Sequence, residues 1–185
     1  MIRFFDILFS FFGLFILSPL MLSLFIIGFF DTGSPLFRQE RVGINQKSFY
    51  LLKFRSMHIH APSVATHLAS ASAITPFGNF LRKSKLDELP QLLNVFVGDM
   101  SLVGPRPNLY NQTELIAERE KREVYNIRPG ITGLAQIQKI DMSTPQLLAE
   151  TDARMVSQLN VWFYFKYIFL TVLGKGFGDR IVRQK

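Results

Sequence analysis

Hydrophobic positions are concentrated near the N-terminus of the chain. Residues 7–30 form a run of 24 residues without a charged side chain. A straight helix of this length measures about 36 Å, which exceeds the roughly 30 Å hydrocarbon core of a bilayer. The pattern therefore predicts a membrane helix. A cleaved signal peptide fits less well, because only Arg3 is basic ahead of the run and the apolar core of a signal peptide is shorter.

Two residues in the middle of this run, Ser18 and Pro19, divide it into arms of about 18 Å each, and neither arm could cross a bilayer alone. Pro19 has no backbone N–H and predicts a kink, while the Ser18 hydroxyl can bond back to Leu14 and satisfy its carbonyl in lipid. The sequence permits either a kinked span or a re-entrant hairpin that enters and leaves by one face. In both cases, the basic residues after the run place the rest of the chain in the cytoplasm.

A second apolar stretch, about 159–173, is too short to cross a membrane. It contains Trp162, Tyr164, Lys166 and Tyr167. Aromatic and lysine residues at this density are typical of a helix that lies among lipid headgroups. A buried core helix is the alternative interpretation.

The sequence between these two stretches mixes strand and helix signals. Residues 34–60 alternate turn residues with short β-prone runs, which predicts a pair of strands. Residues 61–76 are rich in Ala, Ser and Thr without an amphipathic period, which indicates a mobile surface loop able to act as a lid. Helices are predicted over 111–125 and 145–159.

The predicted helix over 111–125 has the clearest local signals. Asn111 and Glu114 resemble a capping box, and Glu118 and Arg122 are spaced as an i,i+4 ion pair. We interpret its charged residues as a solvated face without a chemical role. The elements together predict an α+β fold, divided into a membrane helix over 1–31 and a catalytic domain over 32–185.

Composition narrows the functional classes. The 185 residues correspond to one domain, and 48% of them are hydrophobic, which excludes a disordered chain. The absence of Cys excludes a disulfide scaffold, a Cys-ligated metal site and a thiol nucleophile. The net charge of +7 is compatible with nucleic acid, an anionic membrane or a phosphorylated substrate. Because the chain also has apolar membrane segments, we expect the last two partners and no nucleic acid.

The densest candidate site is the sequence RKSKLDELPQ, residues 82–91, in which two adjacent carboxylates follow three basic residues. Pro90 suits the first turn of a helix, so that Asp87 and Glu88 would lie near the positive end of the helix dipole. An ionised Asp87 could act as a nucleophile or as a metal ligand. The alternative is that the pair only caps the helix.

Two further stretches present an arginine on a stiffened backbone. Arg106 lies between two prolines in GPRP, residues 104–107, and Arg128 begins RPGITG, residues 128–133. Prolines reduce the entropy lost in holding a side chain, and guanidinium groups bind phosphate in a bidentate manner. Both arginines are therefore candidates for binding an anion.

Taken together, these stretches resemble the bacterial sugar transferases, the monotopic phosphoglycosyl transferases that use polyprenyl phosphate. The resemblance extends over nearly the whole chain. It rests on the apolar helix interrupted at Ser18-Pro19 and on these blocks: PLFRQERVG (35–43), KFRSM (53–57), LDELPQLLNV (86–95), GDMSLVGPRP (98–107) and RPGITGLAQ (128–136).

The resemblance implies a re-entrant helix and an enzyme on the cytoplasmic face of the bacterial inner membrane. The enzyme would transfer a sugar 1-phosphate from a UDP-sugar to undecaprenyl phosphate and release UMP. It also implies the small form of the family, without an appended domain. Whether the chain forms a homo-oligomer is left open.

The resemblance also assigns residues. Asp87 would be the nucleophile that takes up the phosphosugar and would lie at a Mg²⁺ ion, with Glu88 assisting. Arg106 would bind phosphate, and Lys53, Arg82 and Arg128 would help.

Some positions depart from the family pattern. The residues 138–142, QKIDM, stand where many members have a Gly-Arg pair, and the acidic residue of the C-terminal helix region is retained as Asp152 without the paired tyrosines. Stretches near 62–66 and 109–112 resemble a capsule and O-antigen subgroup, which implies an N-acetylated amino sugar such as N-acetyl-fucosamine. A membrane-attached basic scaffold without catalysis is the alternative from another functional class.

Overall fold

The computed structural model describes residues 1–61 and 73–174, and these residues form seven α-helices and two pairs of short strands. This mixture agrees with the predicted α+β class. The helices are α1 (Ile2–Thr32), α2 (Pro76–Ser84), α3 (Gln91–Val97), α4 (Thr113–Glu120), α5 (Leu134–Gln138), α6 (Pro145–Gln158) and α7 (Val161–Val172). The strands are β1 (Leu36–Val42), β2 (Ser48–Phe54), β3 (Ser101–Val103) and β4 (Gly130–Thr132).

Helix α1 is continuous from Ile2 to Thr32 with Pro19 inside it. The interruption predicted at Ser18-Pro19 therefore does not end the helix. Pro19 cannot donate to the carbonyl four residues earlier, which is that of Phe15. The Ser18 hydroxyl donates to this same carbonyl oxygen over 2.8 Å, and not to that of Leu14 as expected. The side chain next to the proline thus supplies the missing hydrogen bond, and the helix continues.

Both ends of α1 contact the rest of the protein. Near its start, the Arg3 guanidinium donates to the carbonyl oxygens of Val95 and Phe96 at 2.6 and 2.8 Å. Near its end, Asp31 accepts a 2.7 Å hydrogen bond from the Thr75 hydroxyl. The helix therefore lies along the body of the molecule and does not project from it at one end.

Asp6 is a charged residue on the buried side of α1 and is 2% exposed. Its Oδ1 atom accepts hydrogen bonds from the Ser101 hydroxyl, the Leu102 backbone N–H and the Tyr164 hydroxyl, all at 2.8–2.9 Å. These three donors belong to β3 and α7. The Asp6 carboxylate therefore connects α1 with β3 and α7.

The predicted strand pair over 34–60 is confirmed. Strands β1 and β2 are antiparallel, with Leu36 opposite Phe54 and Val42 opposite Ser48. Between them lies a 3₁₀ turn, Ile44–Gln46, in which Asn45 has a φ of 51°. The inner face of this hairpin packs into a core with Val95 and Met100.

Strands β3 and β4 form a parallel pair that the sequence did not predict. Gly104, which follows β3, closely approaches Gly130, the first residue of β4. A Cβ atom added to Gly130 would lie 2.0 Å from the backbone nitrogen of Gly104, so neither position has room for a side chain. This contact places the Arg106 loop against the stretch that begins with Arg128.

The other predictions have mixed outcomes. A helix over 145–159 is confirmed as α6, whereas the helix over 111–125 is shorter than predicted and ends at Glu120. No side chain caps α4, so the predicted capping box with Asn111 is wrong, and Glu123 at a φ of 58° turns the chain into a 3₁₀ segment. The predicted lid falls largely on residues 62–72, which lie outside the described residues.

Helix α7 combines the two interpretations of the second apolar stretch. Tyr164 and Tyr167 are buried in the core beside Val103 and Met155. Trp162 and Phe169 on the same helix remain exposed, at 74% and 62%. One face of α7 therefore belongs to the core, and the other presents aromatic side chains to the surroundings.

Candidate active site

The two adjacent carboxylates lie in a short 3₁₀ turn, Leu86–Glu88, between α2 and α3. Lys85 enters the turn with a φ of 60°, and Pro90 immediately precedes the first residue of α3, as the sequence predicted. Leu86 and Leu89 pack against a buried cluster of Leu24, Phe54 and Leu81, which anchors the turn. Asp87 is consequently held almost fully buried, with 3% of its surface exposed.

Glu88 lies between two cationic side chains that were predicted to belong to the site. The Lys53 Nζ atom of β2 is 3.6 Å from Glu88 Oε1, and an Nη2 atom of Arg106 is 3.4 Å from the same oxygen. Lys53 and Arg106 belong to segments more than fifty residues apart in the chain. The fold thus brings together four of the predicted site residues: Asp87, Glu88, Lys53 and Arg106.

A buried arginine supports the backbone at Arg106. Arg119 of α4 is 1% exposed, and its Nη1 atom donates to the Arg106 carbonyl oxygen at 2.9 Å and to Asn108 Oδ1 at 2.8 Å. Its Nε and Nη2 atoms donate to Asp152 Oδ2 at 3.0 and 2.6 Å. The Arg119–Asp152 pair therefore fixes the loop that carries Arg106.

This buried pair corrects the interpretation of the α4 charges as a purely solvated face. Glu118 and Arg122 do form the predicted ion pair near the surface, but Arg119 points inward. Burial raises the pKa of the Asp152 carboxyl, and the neighbouring Arg119 guanidinium opposes this shift. Burial likewise raises the pKa of the Tyr125 hydroxyl, which stays protonated and donates to Asn108.

Arg82 and Arg128, the other two arginines predicted to belong to the site, have different surroundings. The Nε atom of Arg82 donates to the Ser56 hydroxyl at 2.8 Å, and its buried Nη1 atom has no hydrogen-bond partner among the described residues. Arg128 donates to the Gly98 carbonyl oxygen at 2.7 Å. Gly98 follows the last residue of α3, so this contact lies at the opposite end of the helix from Asp87.

A small cleft that opens to solvent lies beside Lys53 and Arg106. Its lining includes Arg41, Gln91 and the apolar side chains of Leu51, Pro107 and Ile131. Three of the lining residues are cationic, which favours an anionic occupant. Arg41 and Gln91 were not nominated from the sequence, although Gln91 lies within the 82–91 block and could have been found there.

The donor set around Asp87 can be compared with what a metal requires. Within residues 1–61 and 73–174 there is no group of three or more His, Asp or Glu side chains placed to hold a metal ion. Mg²⁺ commonly uses only one or two carboxylates and completes its shell with water and substrate phosphates. Asp87 fits that role better than Glu88, since Glu88 already faces two cations. The residues therefore fit a Mg²⁺ shared with a phosphorylated substrate.

This arrangement has the components of a phosphoryl transfer site. It offers one buried carboxylate able to attack phosphorus, a second carboxylate that orients two cations, and a basic cleft beside them. Fixed cations stabilise the negative charge of a phosphate more effectively in a partly dry site than in water.

Comparisons with known proteins agree with this chemistry. The profile of the family described as bacterial sugar transferase matches residues 1–176. A UDP-glucose:undecaprenyl-phosphate glucose-1-phosphate transferase of Xanthomonas campestris pv. campestris is 35% identical, and the match covers 91% of this chain and 36% of that protein. The enzyme of the same name from Escherichia coli (strain K12) is 37% identical, with 95% and 40% covered.

A third relative is closer to this chain in length. The uncharacterized sugar transferase EpsL of Bacillus subtilis (strain 168) is 37% identical, with 92% of this chain and 84% of that protein covered. The chain thus spans about two fifths or less of the two glucose-1-phosphate transferases and most of EpsL.

Proposed function

The chain belongs to the bacterial sugar transferase family, and from this we propose that it transfers a sugar 1-phosphate from a UDP-sugar to undecaprenyl phosphate with release of UMP. Two relatives carry names that state this type of reaction with UDP-glucose. The observation that carries the proposal is the buried Asp87 carboxylate next to Glu88. The Glu88 carboxylate in turn faces both Lys53 and Arg106.

In the first step, a carboxylate oxygen of Asp87 attacks the phosphorus that bears the sugar. The bond between this phosphorus and the bridging oxygen breaks, and the oxygen leaves with its electron pair as part of UMP. The phosphosugar is then attached to Asp87 as an acyl phosphate. Such covalent catalysis divides one difficult transfer between two anions into two steps.

In the second step, a phosphate oxygen of the undecaprenyl phosphate dianion attacks the same phosphorus. The bond to the Asp87 oxygen breaks, which restores the carboxylate and leaves the sugar on an undecaprenyl diphosphate. No proton has to be transferred for either step to balance.

Positive side chains make these steps possible by reducing repulsion between anions. Lys53 and Arg106 would bind the donor phosphates, and Glu88 orients both cations through its ion pairs with them. A bound Mg²⁺, held by Asp87 together with the donor phosphates, would neutralise further negative charge. Arg119 acts on Arg106 only through its backbone and therefore positions it.

We propose a monotopic attachment to the cytoplasmic face of the bacterial inner membrane. The apolar helix α1 and the undecaprenyl phosphate in the name of a relative support membrane association. A helix crossing the bilayer would hold one end some 30 Å from the body. Contacts at both Arg3 and Asp31 support an arrangement in which neither end is carried across.

The surface around α1 supports the same placement. Helix α1 contacts α3 and α7 through the ring pairs Phe11–Phe96 and Phe5–Phe165. On these two helices, Val97 and Trp162 remain 69% and 74% exposed. An apolar surface of this kind is unusual in water and is typical of a membrane-binding face.

For the sugar, we propose an N-acetylated amino sugar such as N-acetyl-fucosamine. This proposal rests on the likeness of two short stretches to the capsule and O-antigen subgroup, whereas the names of two relatives state glucose. The donor panel described next includes both classes.

The test is a half-reaction measured without the acceptor. The purified chain is incubated with Mg²⁺, a UDP-sugar and radiolabelled UMP, using UDP-glucose, UDP-galactose, UDP-N-acetylglucosamine and UDP-N-acetyl-fucosamine in turn. A covalent intermediate predicts that label enters the correct UDP-sugar, and that undecaprenyl phosphate then drives net UMP release. Release that occurs only with the acceptor, without any exchange, would contradict the two-step mechanism.

A further inference from the structure

Asn94 of α3 is buried, with 3% of its surface exposed, and its side-chain amide binds the backbone of β2. The amide oxygen accepts from the Leu52 N–H at 3.0 Å, and the amide nitrogen donates to the Tyr50 carbonyl oxygen at 2.8 Å. Among the described residues β2 pairs with β1 alone, so its other edge is the one that Asn94 binds. One side chain thus makes the two hydrogen bonds that a residue of a neighbouring strand would make.

Helix α3 and the turn that carries Asp87 are joined by backbone hydrogen bonds. The Leu89 N–H donates to the Leu86 carbonyl oxygen at 3.3 Å, and the Leu92 N–H donates to the Leu89 carbonyl oxygen at 3.1 Å. Because each of these bonds closes a single turn, a displacement of α3 would move Asp87 with it.

The strand that Asn94 binds carries Lys53. Leu52 immediately precedes Lys53, and a strand advances only about 3.3 Å per residue. The Lys53 Nζ atom is 3.6 Å from Glu88 Oε1. The ammonium and the carboxylates of the candidate site therefore belong to the two elements that Asn94 connects.

Apolar packing alone would hold these two elements together without fixing their register. Phe49 and Leu51 of β2 pack with Val95 of α3, and the energy of such contacts depends on buried area and not on direction. Hydrogen bonds to one carbonyl and one N–H are directional, so they select a single position along the strand. A buried Asn is known to fix register in coiled coils, where it lowers stability.

We propose that the Asn94 amide is a positioning group, which holds Lys53 at a fixed place relative to the turn that carries Asp87. The inference rests on the proposed function, because it assigns Lys53 to the donor phosphates and Asp87 to the attack on phosphorus. Asn94 acts on the reaction only through β2. A displacement of about 1 Å between reacting groups can lower a rate by about 10²-fold, so a register shift of β2 is large enough to matter.

The experiment measures label exchange between UMP and the UDP-sugar with the full chain in detergent. Asn94→Leu keeps the number and branching of the non-hydrogen side-chain atoms and removes both hydrogen bonds to β2. We expect its exchange rate to fall by about 10- to 100-fold at a temperature where circular dichroism shows it folded.

Val95→Ala is the matched control. Val95 is the next residue of α3, is buried and packs against the same strand through apolar contacts alone. Its truncation leaves a cavity and should lower Tm. At the same temperature it should exchange label at close to the wild-type rate, because the hydrogen bonds to β2 remain.

Asn94→Asp separates positioning from stability by its pH profile. An ionised carboxylate here still accepts from Leu52, but it repels the Tyr50 carbonyl oxygen and Asp99, whose Oδ2 atom is 3.2 Å from the Asn94 amide nitrogen. The protonated form has a hydroxyl that can donate as the amide does. The Arg3 guanidinium, which binds the end of α3, is common to all variants. The exchange rate relative to the wild type should therefore rise as the pH falls, with no such trend in the matched control.

The outcomes separate the inference from the proposed function. If the wild type exchanges label with no donor, the proposed function fails and the inference fails with it. If the wild type exchanges and folded Asn94→Leu does so at a similar rate, the inference is overturned while the function stands. Equal losses in Asn94→Leu and Val95→Ala would also overturn it, since Asn94 would then contribute to stability alone. If Asn94→Leu does not fold, a flat pH profile of Asn94→Asp relative to the wild type overturns the inference.

Discussion

At the scale of single residues, the candidate site uses few groups, and a different set of contacts fixes the position of each. Asp87 is buried by its anchored turn, Glu88 is held by two cations, and Arg106 is fixed through its own carbonyl oxygen. A change at one of these positions should therefore alter one step and leave the others measurable.

The first prediction concerns the nucleophile. Asp87→Asn removes the attacking charge at nearly constant volume, so turnover and UMP exchange should both fall below detection while the protein stays folded. Glu88→Gln should be severely impaired, because Lys53 and Arg106 lose the carboxylate between them. The measurement is label exchange together with circular dichroism. Near-normal exchange in Asp87→Asn would dismiss the covalent carboxylate mechanism.

The second prediction concerns the buried pair behind Arg106. Arg119→Met leaves the Asp152 charge buried without its partner, which typically costs about 3–5 kcal/mol. For a chain of this size that corresponds to a fall in Tm of about 10 °C. Arg122→Met, which removes the more exposed ion pair that Arg122 makes with Glu118 of α4, is the control and should change Tm far less. Equal shifts in both variants would contradict a special role for the buried pair.

At the scale of elements, the membrane helix has the clearest prediction. Cysteines introduced at Ile2 and Lys185 report sidedness without interference, since the native chain has no cysteine. In intact cells an impermeant maleimide should label neither position. Pro19→Leu should promote a straight spanning helix and increase labelling at Ile2. Labelling of Ile2 alone in the unmutated background would establish a span.

Elements with local signals were predictable from the sequence. Turn residues between short β-prone runs predict the hairpin of β1 and β2. Helical periodicity over neighbouring residues predicts α6. The continuity of α1 through Pro19 was not predicted, because it depends on which carbonyl Ser18 selects. A hydroxyl can reach either the third or the fourth preceding carbonyl, and only the structure decides between them.

Features that depend on distant partners were not predictable. The pairing of β3 with β4 involves strands of three residues each and a close approach of Gly104 to Gly130, for which no local pattern exists. Arg119 resembled its solvated neighbours because its partner Asp152 is 33 residues away. The candidate site followed the same rule: the 82–91 block was recognisable, whereas its juxtaposition with Lys53 and Arg106 required the fold.

At the scale of the whole molecule, the reactive groups and the apolar surface belong to adjoining elements. Helix α3 begins beside the catalytic turn and contacts α1 along its length, with Leu92 against Gly13. In the proposed reaction, this placement would let a lipid-linked acceptor and a water-soluble donor approach one site from different sides.

The last prediction concerns the metal. EDTA should abolish exchange and turnover in every donor assay, and Mg²⁺ should restore both. The expected cause is that the Asp87 and Glu88 carboxylates repel the donor phosphates, so that positive charge beyond that of Lys53 and Arg106 is needed to bring phosphorus close to Asp87. Unchanged rates in the chelator would show that Lys53 and Arg106 suffice and that no divalent ion is required.

The bond between Asp6 and Tyr164 has a consequence for how the protein is made. The two residues are 158 positions apart. Translation at roughly 5–20 residues per second needs on the order of ten seconds or more to cover that distance. By the end of this interval α1 has long been synthesised, but Tyr164, whose hydroxyl completes the buried contact of Asp6, is only then added. The final seating of α1 is therefore a late event, and a nascent chain shortened before residue 164 should retain a helix that is still free to move.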